Sequence, residues 1–138
     1  MLIPVTKFIF FIIIDLLKKI KIECEISFIK VSSYSGTTST GKINTLIGVN
    51  ENLQKRPVII LEDIVDSGNT LEAVMGEIKK HNPDTIRIAT LFFKPEMYRK
   101  KIALDYIGIK VPNKFLVGYG LDYNGLGRNL KDIYALKS

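Results

Sequence analysis

Glu62 and Asp63 adjoin, Asp66 follows three residues on, and Ser67-Gly68-Asn69-Thr70 completes the stretch VIILEDIVDSGNT over residues 58–70. Carboxylates at this spacing can accept hydrogen bonds from sugar hydroxyls or hold a hard cation such as Mg²⁺. A glycine-containing turn with two hydroxyls, set before a helix, offers N–H and O–H donors to an anion, and the helix N-terminus adds partial positive charge. Together these groups describe a phosphate and a ribose held side by side. Turn chemistry and helix capping would explain one acid or a glycine after a strand. Three acids followed by Ser-Gly-Asn-Thr exceed that need.

The elements around this stretch must bring its groups to one place. Residues 58–61 form a short, branched, apolar run of the kind found in a buried parallel strand, with Pro57 opening it and the acids just past its end. Residues 71–80 read as a helix. Residues 85–93, TIRIATLFF, give a second strand that ends at Lys94-Pro95, and 105–109 a short third. A strand is expected at 115–119, with 133–136 closing the structure. Strands alternating with helices imply an α/β fold with a parallel sheet, in which ligands bind outside the carboxyl ends of the strands. Residues 25–32 alternate toward a strand and 42–51 continue as a β-rich excursion. Between them SYSGTTSTG, residues 33–41, has almost no packing residues and reads as a mobile lid.

The apolar run FIFFIII, residues 8–14, is too short to span a bilayer and is bracketed by Lys7 and Asp15. No small-residue cleavage site follows it. It reads as a buried helix continuing to Ile20, with an apolar face suited to a subunit contact. The chain has 138 residues, enough for a single domain with its own core. Its formal charge of +6 comes from scattered groups, among them Lys18, Lys19, Lys21, Lys79, Lys80, Arg99, Lys100 and Lys101, with no basic run or aromatic-interleaved motif. That pattern argues against nucleic acid and for a small phosphorylated ligand. Cys24 is the sole cysteine, so no disulfide can form within the chain, which fits a reducing cytoplasm. Cys24 and the one histidine, His81, read as structural or surface residues.

The stretch 58–70 closely resembles the phosphoribosyl-pyrophosphate signature of the type I phosphoribosyltransferases, and the chain from about Asp15 onward resembles the hypoxanthine (hypoxanthine-guanine) members. The resemblance implies a Rossmann-like parallel-sheet core with flanking helices and a mobile loop, residues 1–138 forming one shortened domain. It implies Mg²⁺-dependent transfer of 5-phosphoribosyl from phosphoribosyl pyrophosphate to hypoxanthine or guanine in purine salvage, giving IMP or GMP and pyrophosphate. By this likeness Asp66 is the general base near purine N7. Asp66, Ser67, Gly68, Asn69 and Thr70 form the 5′-phosphate loop, in which Asn69 serves through its backbone. Glu62 and Asp63 face the ribose hydroxyls and, with Asp122 of GYGLDYNGLGRN, the metal. Arg128 meets the pyrophosphate, as a bidentate guanidinium can. Lys94, in FFKP, donates to the exocyclic O6, which an adenine amino group cannot accept. In Lys114-Phe115-Leu116 the ring stacks on the purine and the backbone reads its edge. Ser33 and Tyr34 begin the catalytic loop. Relatives associate as homodimers or homotetramers in the cytoplasm, with no nucleic-acid or membrane partner implied.

Two departures set competing expectations. The family carries a few dozen residues ahead of the position of Met1. It also carries a glycine-containing pyrophosphate loop before the first helix, where this chain has Pro4-Val5-Thr6-Lys7-Phe8-Ile9. Bulky residues there restrict close backbone approach to a ligand. A nucleotide- or phosphoribosyl-pyrophosphate-binding regulator and an inactive, truncated relative are therefore the alternatives to an enzyme.

Overall fold

The computed structural model describes residues 1–5, 9–33 and 43–137, and at 31–33 and 43–47 the backbone only. Its elements in order are β1 (Leu2–Pro4), α1 (Phe10–Leu17), β2 (Lys30–Ser33), β3 (Ile43–Ile47), β4 (Pro57–Val65), α2 (Asn69–Lys79), β5 (Thr85–Phe93), β6 (Tyr106–Lys110), β7 (Leu116–Val117) and β8 (Tyr134–Ala135). Four strands make the main sheet in the order β1-β4-β5-β6, every pair parallel. This is the parallel α/β core expected from the alternation of strands and helices.

β4 and β5 are central because both are apolar enough to be covered on their faces. Val58, Ile60, Leu61 and Val65 of β4 and Ile88 and Phe92 of β5 are buried. On one side Ile60, Val58 and Ile88 pack with Leu71, Val74 and Ile78 of α2, which recur at helical spacing. On the other, Leu2 and Leu61 pack with Ile9 and Ile13 at α1.

Register then fixes the site. Pro57 pairs with Thr85 and the ladder runs on to Val65 opposite Phe93, so both strands end level. The next residues, Asp66 and Lys94, therefore emerge side by side, and the Lys94 N–H donates to the Val65 carbonyl at 3.0 Å.

Several expectations needed correction. The central strand is longer than 58–61: it runs to Val65, which puts Glu62 and Asp63 inside the strand rather than past its end. Pairing with β5 carries it over the acids, since Glu62 sits opposite Thr90. β1 has no counterpart in the sequence reading. Three residues are too few for periodicity to show, and Pro4 is tolerated because the N–H that bonds β4 here is that of Val5, which donates to the Leu61 carbonyl at 3.1 Å. In residues 25–32 only the last part is a regular strand. The earlier part runs beside β1 through Ser27 N–H to the Leu2 carbonyl (3.0 Å) and Ile29 N–H to the Pro4 carbonyl (3.2 Å). β7 stops after two residues where 115–119 was expected, because Gly118, Tyr119 and Gly120 all take positive φ. It pairs antiparallel with β8, near the expected closing segment 133–136. α1 is shorter than 8–20 and only partly buried: Ile13 is covered, whereas Phe10, Phe11 and Ile14 are about half exposed. The lid of residues 33–41 lies, apart from Ser33, outside the described residues, as does the 6–8 part of the substituted pyrophosphate loop. Among the described residues no helix is long and apolar enough to cross a membrane.

Candidate active site

At the carboxyl ends of β4 and β5 lies a cavity of about 400 Å³ lined by Glu62, Asp63, Asp66, Thr70, Lys94, Phe115, Leu116 and Asp122, with Ile64 and Leu121 completing its wall. Eight residues singled out in the sequence thus meet in one place, drawn from β4, the loop after it, the first turn of α2, the residue just past β5, and β7 with its flanking residues. A smaller adjoining hollow of about 80 Å³ is enclosed by the loop itself, from Asp66 through Ser67, Gly68 and Asn69 to Thr70.

The loop turns at Gly68, which has φ +86° and serves as the N-cap of α2 without a side-chain cap. The Ser67 hydroxyl accepts from the Asn69 N–H at 3.4 Å. The first-turn amides of α2 therefore face this hollow uncapped by residue 68, the arrangement that suits an anion. Gly68 is required for a second reason. A Cβ there would stand 2.7 Å from Cε2 of Tyr98 and 2.8 Å from Cγ of Lys100. These side chains belong to the segment after β5, which backs the loop: the Arg99 N–H donates to the Ser67 carbonyl at 3.2 Å, and Lys100 pairs with Glu72 at 2.6 Å. This backing was not foreseen, because nothing local in KPEMYRKK points to a loop thirty residues earlier in the chain. Gly68→Ala should destabilise the protein by about 1–3 kcal/mol through left-handed strain and overpacking. It should also weaken binding of a phosphorylated ligand. Thermal melts with and without inosine monophosphate measure both effects.

Lys94 is buried, 7% exposed, and its ammonium lies 3.3 Å from the Asp66 carboxylate, which remains about half exposed at the cavity mouth. Thr90, four residues earlier in β5, donates its hydroxyl to the Phe92 carbonyl at 2.8 Å.

Glu62 and Asp63 are both buried, at 3% and 5% exposure. The Asp63 carboxylate accepts the Ile64 N–H at 2.8 Å. Burial, and then the neighbouring Asp63 charge, push the Glu62 carboxyl well above the ordinary value of 4.5. The unfolded chain therefore gives up this proton first. Stability from this group is complete below pH 4.5 and is lost as pH rises through the raised value. Glu62→Gln should accordingly raise the melting temperature at pH 7 without ligand, with no gain below pH 4.5. Identical melts of parent and variant at pH 7 would show that Glu62 carries no such cost.

The remaining expected residues divide. Phe115 is about half exposed and stands edge-on to Tyr123, with ring centroids 5.7 Å apart. Leu116 lines the cavity beside it, whereas Lys114 is exposed and lies off the lining. Asp122 reaches the cavity while pairing with Arg128 at 2.7 Å and accepting the Gly125 N–H at 2.6 Å. Arg128 does not line the cavity. Its guanidinium also donates to the Gly120 carbonyl at 3.0 Å, so it braces the loop that carries Asp122. Glu62, Asp63 and Asp122 share the cavity but do not converge: among the described residues no three Asp, Glu, His or Cys side chains gather as metal ligands. Of the catalytic-loop pair, Ser33 ends β2 and pairs with Ile43, and Tyr34 lies outside the described residues.

A parallel sheet whose central strand runs into a tight glycine loop and a helix N-terminus beside a cavity defines a class, which similarity to known proteins names. Residues 9–124 match the family model of the phosphoribosyl transferase domain. The chain is 44% identical over 115 residues to a hypoxanthine phosphoribosyltransferase of Buchnera aphidicola subsp. Schizaphis graminum, covering 83% of this chain and 65% of that protein. It is 46% identical over 124 residues to a hypoxanthine-guanine phosphoribosyltransferase of Streptococcus mutans serotype c, covering 89% and 69%. The chain thus spans about two thirds of the length of these relatives. The solved hypoxanthine phosphoribosyltransferase of Trypanosoma cruzi in complex with the product IMP superimposes with a TM-score of 0.89 at 34% identity, over 99% of this chain and 74% of that one. The chain belongs to the phosphoribosyltransferase family and, within it, to the hypoxanthine (hypoxanthine-guanine) phosphoribosyltransferases.

Proposed function

We propose that this protein transfers the 5-phosphoribosyl group from phosphoribosyl pyrophosphate to hypoxanthine or guanine, yielding IMP or GMP and pyrophosphate. The observation that carries this reading is the contact of Asp66 with Lys94 at the cavity mouth. A 6-oxopurine presents N7 and O6 on one edge. An acceptor and a donor in contact with each other can meet both atoms together, the carboxylate holding the N7 proton and the ammonium donating to O6. Adenine, with an amino group in place of O6, offers that ammonium no acceptor. The Phe115 ring lines the same cavity and is half exposed, which suits stacking on the base.

The sugar end follows from the same cavity. The amides and hydroxyls of residues 66–70 suit the 5′-phosphate, and Glu62 and Asp63 at the cavity floor suit the two ribose hydroxyls. Carboxylates there also stabilise the positive charge that develops at the anomeric carbon as pyrophosphate departs. The donor set fits Mg²⁺ of the kind that keeps most of its shell as water and phosphate oxygens and takes one or two protein carboxylates. One or two of the cavity's carboxylates, Asp122 or the Glu62–Asp63 pair, would hold it, and the chemistry supplied would be neutralisation of charge on the leaving pyrophosphate. The Arg128 guanidinium keeps the Asp122 carboxylate turned to the cavity.

The single free cysteine supports a reducing, cytoplasmic setting. The exposed Phe10 and Ile14 on α1 support association as a homodimer or homotetramer. The test is an assay of the purified chain with hypoxanthine, phosphoribosyl pyrophosphate and Mg²⁺. Formation of IMP is expected, with adenine turned over far more slowly. Stabilisation by phosphoribosyl pyrophosphate without turnover would instead make it a binding protein.

A further inference from the structure

Asp122 and Leu121 enter the cavity from a loop whose backbone is unusually constrained. Tyr119 has φ +50° and stands between Gly118 at +105° and Gly120 at +96°. Glycine takes such angles freely, but Tyr119 has a Cβ and is held there against its preference. Its side chain shows by what. The Tyr119 hydroxyl donates to the Asp15 carboxylate, and its ring packs against Phe11 with centroids 5.7 Å apart. Asp15 and Phe11 stand one turn apart on α1, at the spacing that puts them on one face.

The backbone around Tyr119 passes this anchorage on. The Tyr119 N–H donates to the Leu130 carbonyl at 2.8 Å and the Gly120 N–H to the Arg128 carbonyl at 3.0 Å. Gly118 and Leu121 exchange N–H to carbonyl bonds, each 3.0 Å. Arg128 then pairs with Asp122. One unbroken series of contacts thus runs from α1, through Tyr119, to the carboxylate that faces the cavity.

We propose that Tyr119 is a positioning residue: its bond to Asp15 and its packing on Phe11 tie the 118–128 loop to α1 and so aim Asp122 into the cavity. The proposal rests on the reading of Asp122 as the carboxylate on the pyrophosphate side. The bond withstands pH change over the working range. Hydrogen bonding to Asp15, with some burial, pushes the Tyr119 hydroxyl up to about 12, and the same bond, with Lys18 alongside, holds Asp15 below its usual 3.8.

The test compares Tyr119→Phe, Asp15→Ala, Asp15→Asn and the double variant Tyr119→Phe with Asp15→Ala. Tyr119→Phe and Asp15→Ala should each raise KM for phosphoribosyl pyrophosphate by about threefold to tenfold while leaving KM for hypoxanthine within about twofold. Asp15→Asn, which keeps a neutral acceptor, should stay near the parent. The double variant should be no worse than either single one, because the two side chains act through a single bond. An unchanged KM in the single variants, or additive effects in the double one, overturns the proposal. Amide exchange reads the same tie without turnover: the Tyr119 and Gly120 amides should exchange faster in Tyr119→Phe than in the parent, and those of β4 and β5 equally in both. Equal exchange at Tyr119 and Gly120 overturns the proposal even if the chain proves to have no transferase activity.

Discussion

Asp66→Asn should lower kcat for IMP formation by about 10²–10⁴-fold, the range for loss of a positioned general base. Asparagine matches aspartate in size, and Asp66 is about half exposed, so the fold should tolerate the change. What disappears is the acceptor for the N7 proton. The Lys94 ammonium loses its charge partner but keeps an amide oxygen in reach, so its donor role toward O6 should largely persist. KM for hypoxanthine should therefore move much less than kcat. Steady-state kinetics and a thermal melt of the same preparation check this. Equal kcat for variant and parent would remove Asp66 from the chemistry.

Lys94→Met should act on the other side of the base. Methionine fills the buried space left by the lysine stem but donates nothing to O6. A hydrogen bond from a charged donor contributes about 1.5–3 kcal/mol, so kcat/KM for hypoxanthine should fall by about 10–150-fold. Turnover of adenine should change little, because Lys94 offers it no bond to lose, and the preference for 6-oxopurines should shrink by the same factor. The fold should hold or gain slightly, since a buried ammonium is itself costly. Competition between hypoxanthine and adenine in one reaction gives the ratio directly. An unchanged ratio would mean that Lys94 only supports the loop.

Both residues could be singled out in the sequence, for different reasons. Asp66 stands in an acidic strand–turn–helix motif, whereas Lys94 drew notice through the family resemblance, just past a nine-residue strand whose bounds the sequence matched residue for residue. Their contact was not visible. It depends on the register of β4 against β5, a long-range choice made by side-chain packing on both faces. The same cause hid the true end of β4: acids normally mark a strand's end, and only the partner strand shows that Glu62 and Asp63 lie within the ladder. The backing of Gly68 by Tyr98 and Lys100 and the tie of Tyr119 to α1 are likewise contacts between segments far apart in the chain, and the pairing of Arg128 with Asp122 depends on how the loop between them folds. At 115–119 the strand expectation followed the apolar residues Phe115 to Val117 and missed that Gly-Tyr-Gly would bend the chain away.

Crystals of the protein grown with inosine monophosphate would show where a nucleotide sits. The phosphate should lie in the hollow of residues 66–70, the ribose hydroxyls beside Glu62 and Asp63, and the base between Phe115 and the Asp66–Lys94 pair. A nucleotide bound elsewhere, with that cavity vacant, would contradict the account.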